Sequence, residues 1–253
     1  MGTSASRGVR FQIASDQALI VYFDPPAKTS RAPDPVALNS APPLQDQITI
    51  EGHEQVRRLL WLAESEPIAG VRNLHPAYCS LLIKFDASKL RHEKLQEVLR
   101  EYVARMQKVE LPEPRLVEIP VCYGAEFGPD LITVAELHGL SPEQAMEVHA
   151  SIDYIVYFLG FAPGFAYLGE VAEELATPRL ASPRRSVPIG SVGIAGRQTG
   201  VYPIATPGGW RLLGRAPVRM FQPERAKMSL LAIGDRVRFV PISREQFAKL
   251  ETA

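Results

Sequence analysis

Between Glu51 and Glu64 the apolar residues Val56, Leu59, Leu60 and Ala63 recur at the spacing of a helix with one buried face, and Pro67 marks its end. Upstream, residues 8–23 (GVRFQIASDQALIVYF) carry two short β-type runs joined by a Ser15-Asp16-Gln17 turn. Downstream, Ile68–Asn73 and Tyr78–Phe85 read as strands. A second helical stripe of Leu95, Val98, Leu99, Tyr102, Val103 and Met106 follows, with Ser88 as its expected cap. A sheet covered by two helices is a small α+β layer. Two prolines in Leu111-Pro112-Glu113-Pro114 stiffen and expose the chain, which places a domain boundary there. Residues 1–111 are therefore predicted to form an N-terminal α+β domain and 115–253 a second one. Within the first, Asp24 to Leu44 holds Pro25, Pro26, Pro33, Pro35, Pro42 and Pro43 with almost nothing apolar, and reads as a mobile Pro-rich insertion over 24–44.

In the second domain Arg115–Tyr123 begins a strand, and Leu131–His138 is a short helix stopped at Gly139. Ser141, Pro142 and Gln144 form the capping box of the next helix. Ile152–Leu159 is apolar on both faces, the pattern of a central strand. Short runs follow at Val187–Ile194, Val201–Ala205, Trp210–Leu213, Val218–Phe221 and Arg236–Pro241, with Gly or Pro between them. That rhythm after one helical interlude predicts a β-barrel.

Composition narrows the function classes. No apolar run reaches the roughly 18 residues of a membrane span, and the N-terminal MGTSASRGVRFQIAS lacks the apolar centre of a secretory signal, so a cytoplasmic location and no membrane partner are expected. Cys79 and Cys122 belong to no CxxC pattern, and His53, His75, His92, His138 and His149 are scattered, so no metal site is expected. The formal net charge is zero, yet residues 175–253 carry 13 basic and 4 acidic side chains against 15 and 24 in residues 1–174. The excess is mostly arginine in glycine-rich turns, without a basic helix or aromatic stripe. A small anionic ligand or acidic partner fits it better than nucleic acid.

The chemistry concentrates between Tyr154 and Arg215, which hold ten of the 18 glycines. From Leu175 to Pro223 there is no Asp, Glu or Lys, while Arg179, Arg184, Arg185, Arg197, Arg211, Arg215 and Arg219 all fall inside. Guanidinium forks pair with carboxylate or phosphate at two points, and glycine lets backbone approach a ligand, so these turns are expected to converge on one anion-binding hollow. GFAPGFAYLG, residues 160–169, is either a barrel corner plugged by its own aromatics or a pocket with an apolar wall. GSVGIAGRQTG fits neither phosphate-loop spacing nor a strand-to-helix context. It is either a Gly-rich hairpin or a nest of backbone N–H groups flanked by Arg197, Gln198 and Thr199. His149 shares a helix stripe with Ala145 and Val148, which makes it a packing histidine first and a catalytic candidate second; no GxSxG elbow announces a nucleophile.

The run EIPVCYGAEFGPDL, the pairing of His149 with Tyr154, and GFAPGFAYLG, LATPRLASPR, GSVGIAGRQTGVYP and TPGGWRLLGR resemble the family of 5-oxoprolinase B subunits (PxpB), also labelled allophanate hydrolase subunit one or KipI, a histidine-kinase inhibitor. The likeness spans about residues 8–242. It implies an N-terminal α+β domain followed by a cyclophilin-like β-barrel. It also implies a subunit of a bacterial ATP-dependent complex, inactive alone, that works with subunits C and A to hydrolyse 5-oxo-L-proline to L-glutamate. ATP is then a cofactor of the complex. The same resemblance admits a histidine kinase as partner, or a urea-metabolism carboxyltransferase role. By motif position it implies a cleft lined by Phe161, Pro163, Gly164, Tyr167, Arg179, Arg184, Gln198, Thr199, Tyr202, Gly208, Gly209 and Trp210. Arg179 or Arg184 would hold the substrate carboxylate or a phosphorylated intermediate, and Gln198 and the glycine amides would face the lactam. Ala166 and Ile189 depart from the family's usual proline and alanine without removing a functional group.

Overall fold

The computed structural model describes residues 8–23 and 49–251, so the Pro-rich stretch expected at 24–44 lies outside the described residues. The chain divides into two compact units, Met1–Glu113 and Pro114–Ala253.

In the first unit, β1 (Val9–Ser15), β2 (Ala18–Phe23), β3 (Val71–Pro76) and β4 (Ser80–Phe85) form an antiparallel sheet in the order β1-β2-β4-β3. Every second residue of β2 and β4, namely Leu19, Val21 and Phe23 with Leu81, Ile83 and Phe85, is at most 1% exposed, which is the alternation a one-sided sheet demands. Helices α1 (Ile50–Ser65) and α2 (His92–Arg105) belong to the same unit, and α1 packs on β2 and β4. The stripe Val56, Leu59, Leu60 and Ala63 is buried, and Thr49 caps α1 by accepting the Gly52 N–H at 3.0 Å. The expected cap of α2 is corrected: Ser88 hydrogen-bonds Asp86 instead, and the helix starts after Arg91 without a side-chain cap.

The second unit is a closed seven-stranded barrel. Its strands are β5 (Leu116–Tyr123), β6 (Asp153–Leu159), β7 (Ala166–Gly169), β9 (Ser191–Ala195), β10 (Gln198–Val201), β12 (Arg211–Arg215) and β13 (Arg236–Pro241), in the order β10-β7-β6-β13-β5-β12-β9. Strand β6 lies between β7 and β13, as a strand apolar on both faces should, and β13 runs parallel to β5. Ile119, Val121, Tyr154, Val156, Leu168, Val192, Ile194, Val237 and Phe239 fill the interior. Helices α3 (Leu131–Leu137) and α4 (Pro142–Ala150) form the helical interlude, and both arms of the Ser141–Gln144 capping box are present at 3.2 and 2.8 Å.

The barrel differs from the sequence pattern in instructive places. Val187–Ile194 is two strands. Pro188 and Gly190, the latter at φ +79°, break it, so that β8 (Arg184–Val187) leaves the barrel and pairs with β11 (Thr206–Gly208) in a separate ribbon. Val218–Phe221 is not a strand; Phe221 makes one isolated bridge with Ser229. Strand β7 was hidden inside the aromatic motif, and a last helix, α5 (Arg244–Glu251), buries Phe247.

Close backbone approach fixes one glycine absolutely. A Cβ on Gly128 would lie 1.9 Å from the Leu213 carbonyl oxygen, where no side chain can move aside. Gly128→Ala is expected to destabilise the barrel unit by about 3 kcal/mol or more. Chemical denaturation of the variant beside the parent measures it, and an unchanged midpoint would contradict the packing described.

Candidate functional site

An open hollow of about 310 Å³ in the barrel unit is lined by Phe161, Phe165, Tyr167, Arg179, Pro183, Tyr202, Pro207, Gly208, Gly209 and Trp210. Its floor is an edge-to-face aromatic cluster. The Phe165 ring lies 5.0 Å from Tyr167, 5.4 Å from Phe161 and 5.5 Å from both Tyr202 and Trp210. Such T-shaped pairs add to area burial and hold each ring in one orientation. Glycines let the rings close up: a Cβ on Gly200 would sit 3.2 Å from Phe165 and 3.4 Å from Trp210, and one on Gly208 would sit 2.6 Å from the Tyr202 hydroxyl. Phe161, at φ +69° and exposed, forms the rim.

Arg179 brings the charge. Its loop is pinned on both sides: Gly196 N–H donates to Thr177 O at 2.7 Å, Leu180 N–H to Gly209 O at 2.7 Å, and Arg211 Nε to Pro178 O at 3.3 Å. Among the described residues Arg179 has no carboxylate partner. Burial pushes the Tyr167 phenol up and Arg179 opposes that rise. Burial likewise pushes Tyr202 up, against a backbone hydrogen bond from Trp210 and the positive charge of Arg179. Both phenols therefore stay protonated at neutral pH.

The arginines do not converge as the acid-free window led us to expect. Arg184 Nη2 donates to both oxygens of Asp130, at 2.7 and 2.8 Å, and its Nη1 donates to Trp210 O at 3.2 Å. Arg197 pairs with Glu170 at 2.5 Å. Arg215 bonds Ile189 O at 2.8 Å and lies 3.4 Å from Glu251, while Arg185 and Arg219 are exposed elsewhere. Their acids come from outside the window, where a local charge count cannot find them. Of the seven, Arg179 alone is in the hollow's lining.

The remaining sequence candidates fall in three places. Phe161, Tyr167, Tyr202, Gly208, Gly209 and Trp210 line the hollow with Arg179. Pro163 and Gly164 sit behind its rim, where Gly164 at φ +82° packs against Met220 and Phe221. Gln198 and Thr199 lie in the β9–β10 hairpin, whose ladder runs Gln198 to Ala195, Thr199 to Ile194 and Gly200 to Gly193. The Gly-rich segment is thus a hairpin and not an open nest of donors. Phe165, Pro183 and Pro207 were missed, although Phe165 stands in the aromatic motif itself.

His149 lies inside the barrel, fully buried, in a defined chain of donors. Thr199 gives its hydroxyl proton to Gly193 O at 3.0 Å, so its oxygen accepts from His149 Nε2–H at 2.9 Å. His149 Nδ1 then accepts the Tyr123 hydroxyl proton at 2.8 Å. The ring stacks on Phe239 at 4.7 Å, and burial lowers its pKa to about 3. This is a neutral histidine that locks strands together. Among the described residues no group of three His, Cys, Asp or Glu could hold a metal ion, and no helix is long and apolar enough to cross a membrane.

Comparison with known proteins adds a lineage to this geometry. The family model described as carboxyltransferase domain, subdomain C and D, matches residues 9–231. The B subunit of the 5-oxoprolinase of Bacillus subtilis (strain 168) is 44% identical over 211 residues, which cover 78% of this chain and 88% of that protein. The crystal structure of TTHA0988 matches with a TM-score of 0.69 at 38% identity, over 78% of this chain and 38% of that one. The urea carboxylase of Kluyveromyces lactis shares the fold over 95% of this chain, with a TM-score of 0.69 at 17% identity. The matched region is 22% of that much longer enzyme.

The buried histidine makes stability depend on pH with a fixed sign. Unfolded, His149 takes up a proton near 6.5; folded, it resists until about 3. Its contribution is complete above pH 6.5 and is lost as pH falls toward 3, at up to about 1.4 kcal/mol per pH unit. Urea denaturation of the parent and of His149→Gln at pH 7 and pH 4.5 should show a flatter pH dependence in the variant. Equal slopes would remove His149 as a group buried in neutral form.

Proposed function

We propose, from the premise that this chain belongs to the carboxyltransferase-domain family of subdomains C and D and within it to the B subunits of 5-oxoprolinase, that it is the B subunit of an enzyme hydrolysing 5-oxo-L-proline to L-glutamate at the expense of ATP. The observation that carries the chemistry is an unmatched guanidinium over an aromatic hollow. The substrate is a carboxylate on a flat five-membered lactam. Arg179 would take the carboxylate in a two-point pair, and the ring's CH₂ edge would rest against Trp210 and Phe161. A protonated phenol, Tyr167 or Tyr202, would donate to the lactam oxygen. Gln198 and Arg184, first expected beside the substrate, act one layer back in this reading, and His149 acts in the barrel core.

The lining contains no carboxylate, histidine, thiol or amine. A lactam is a stable amide, and cleaving it takes an activating group and a nucleophile. The hollow supplies orientation and charge complementarity, and the cleaving groups are assigned to partner subunits C and A. The residues present do not fit ATP: one guanidinium among apolar walls is a poor match for a triphosphate, and among the described residues no helix N-terminus with a phosphate-loop spacing lines it. No ATP step is placed on this chain. The barrel is read as cyclophilin-like; prolyl isomerisation would be analogy from the fold alone. The relatives named as B subunits of 5-oxoprolinase favour the enzyme subunit over a histidine-kinase inhibitor or a urea-metabolism role.

Co-expression with subunits A and C, followed by an assay of glutamate from 5-oxo-L-proline with and without ATP, tests the reading. Arg179→Ala is expected to raise KM about 10- to 100-fold, the loss of one charge-assisted pair, and Arg179→Lys to recover part of it. No ATP-dependent glutamate, or an unchanged KM in Arg179→Ala, would reject it.

A further inference from the structure

The loop that carries Arg179 is tied by a hydrogen bond from a residue outside the hollow's lining. Helix α3 ends at Leu137, and Gly139 at φ +68° closes it with Leu140 N–H donating to Ala135 O at 2.9 Å. That turn fixes His138 at the helix terminus, half-buried, with Nε2 3.0 Å from Thr177 Oγ1. Thr177 is fully buried and stands two residues before Arg179.

The direction of the bond follows from the hydroxyl's single proton. Thr177 Oγ1 donates that proton to Leu175 O at 3.0 Å, so toward His138 the oxygen can only accept, and Nε2 carries the hydrogen. Leu175 is buried in the barrel core, so the chain runs from core to Thr177 to the loop. The other ties on the loop are the backbone bonds Gly196 N–H to Thr177 O and Leu180 N–H to Gly209 O, and the half-exposed Arg211 reaching Pro178 O. The His138 bond is the shorter of the two side-chain ties.

We infer that His138 is a positioning residue of the substrate site, donating from Nε2 to Thr177 so that the loop holds the Arg179 guanidinium over the aromatic hollow. This rests on the reading of Arg179 as the carboxylate-binding group. The effect is specific in kind: a displaced Arg179 weakens binding of ground state and transition state alike, which raises KM and leaves kcat in place. A residue needed merely for folding would lower the active fraction, and with it apparent kcat, at constant KM.

The test is steady-state kinetics of the reconstituted three-subunit complex on 5-oxo-L-proline. His138→Ala should raise KM about fivefold with kcat unchanged. His138→Gln, whose amide N–H reaches the place of Nε2, should restore the parent KM. Thr177→Val, which keeps the shape and removes the acceptor, should reproduce the alanine variant independently of any change at α3. On an Arg179→Ala background, His138→Ala should add nothing further, since both changes remove one interaction. Unchanged KM in His138→Ala and Thr177→Val, equal impairment by Gln and Ala, or a KM effect that multiplies with Arg179→Ala would overturn the assignment. An Arg179→Ala variant with parental KM would instead overturn the substrate reading on which it rests.

Discussion

Asp130 is 8% exposed, and its carboxylate accepts three hydrogen bonds: two from Arg184 Nη2 at 2.7 and 2.8 Å and one from the Leu212 N–H at 2.7 Å. A carboxylate at that depth is tolerable only when paired and fully hydrogen-bonded, so its partners are committed to it. Through Arg184 the same charge reaches the Trp210 carbonyl, tying the β8–β11 ribbon and the aromatic wall to the start of β12. The pairing also neutralises the Arg184 guanidinium, which bonds the carbonyl of Trp210 in the hollow's wall. What remains at the mouth is one unmatched positive charge above packed rings, a pattern with a single electrostatic demand.

In the proposed function that arrangement separates holding a substrate from cleaving it. Rings locked edge to face around Phe165 leave the hollow little freedom to collapse, and Arg179 is tied down on both flanks, so little ordering is left for the moment of binding. Binding energy from the carboxylate and the ring could then serve to orient the amide for groups on another chain. The neutral phenols of Tyr167 and Tyr202 fit the same division of labour: with their pKa values raised by burial, they would serve as hydrogen-bond donors and not as bases.

How much of this was legible beforehand depended on whether a signal was local. The stripe Val56, Leu59, Leu60 and Ala63, the Ser141–Gln144 box and the closed barrel follow from period and cap, which are properties of neighbouring residues. Phe161, Tyr167, Tyr202 and Trp210 were reached through motifs shared with the family, while Phe165 was passed over inside one of those motifs. The arginines misled because charge pairing is decided across the fold: Asp130, Glu170 and Glu251 lie 54, 27 and 36 residues from the guanidiniums they meet, and no window over 175–223 contains them. His138 gave no sign in sequence, since its relation to Thr177, 39 residues on, exists only once α3 has docked on the barrel. Ser88 failed as a cap for a different reason: Lys89 and Leu90 N–H both donate to Asp86 O, so a turn occupies residues 86–90 and the helix starts only after Arg91, out of reach of the Ser88 hydroxyl.

The most direct measurement is a structure of the assembled complex with 5-oxo-L-proline bound. The account predicts the carboxylate within hydrogen-bond distance of the Arg179 guanidinium, the lactam ring against Trp210, and Arg184 still on Asp130. A ligand seated away from this hollow, or held by Arg184 with its bond to Asp130 broken, would contradict it.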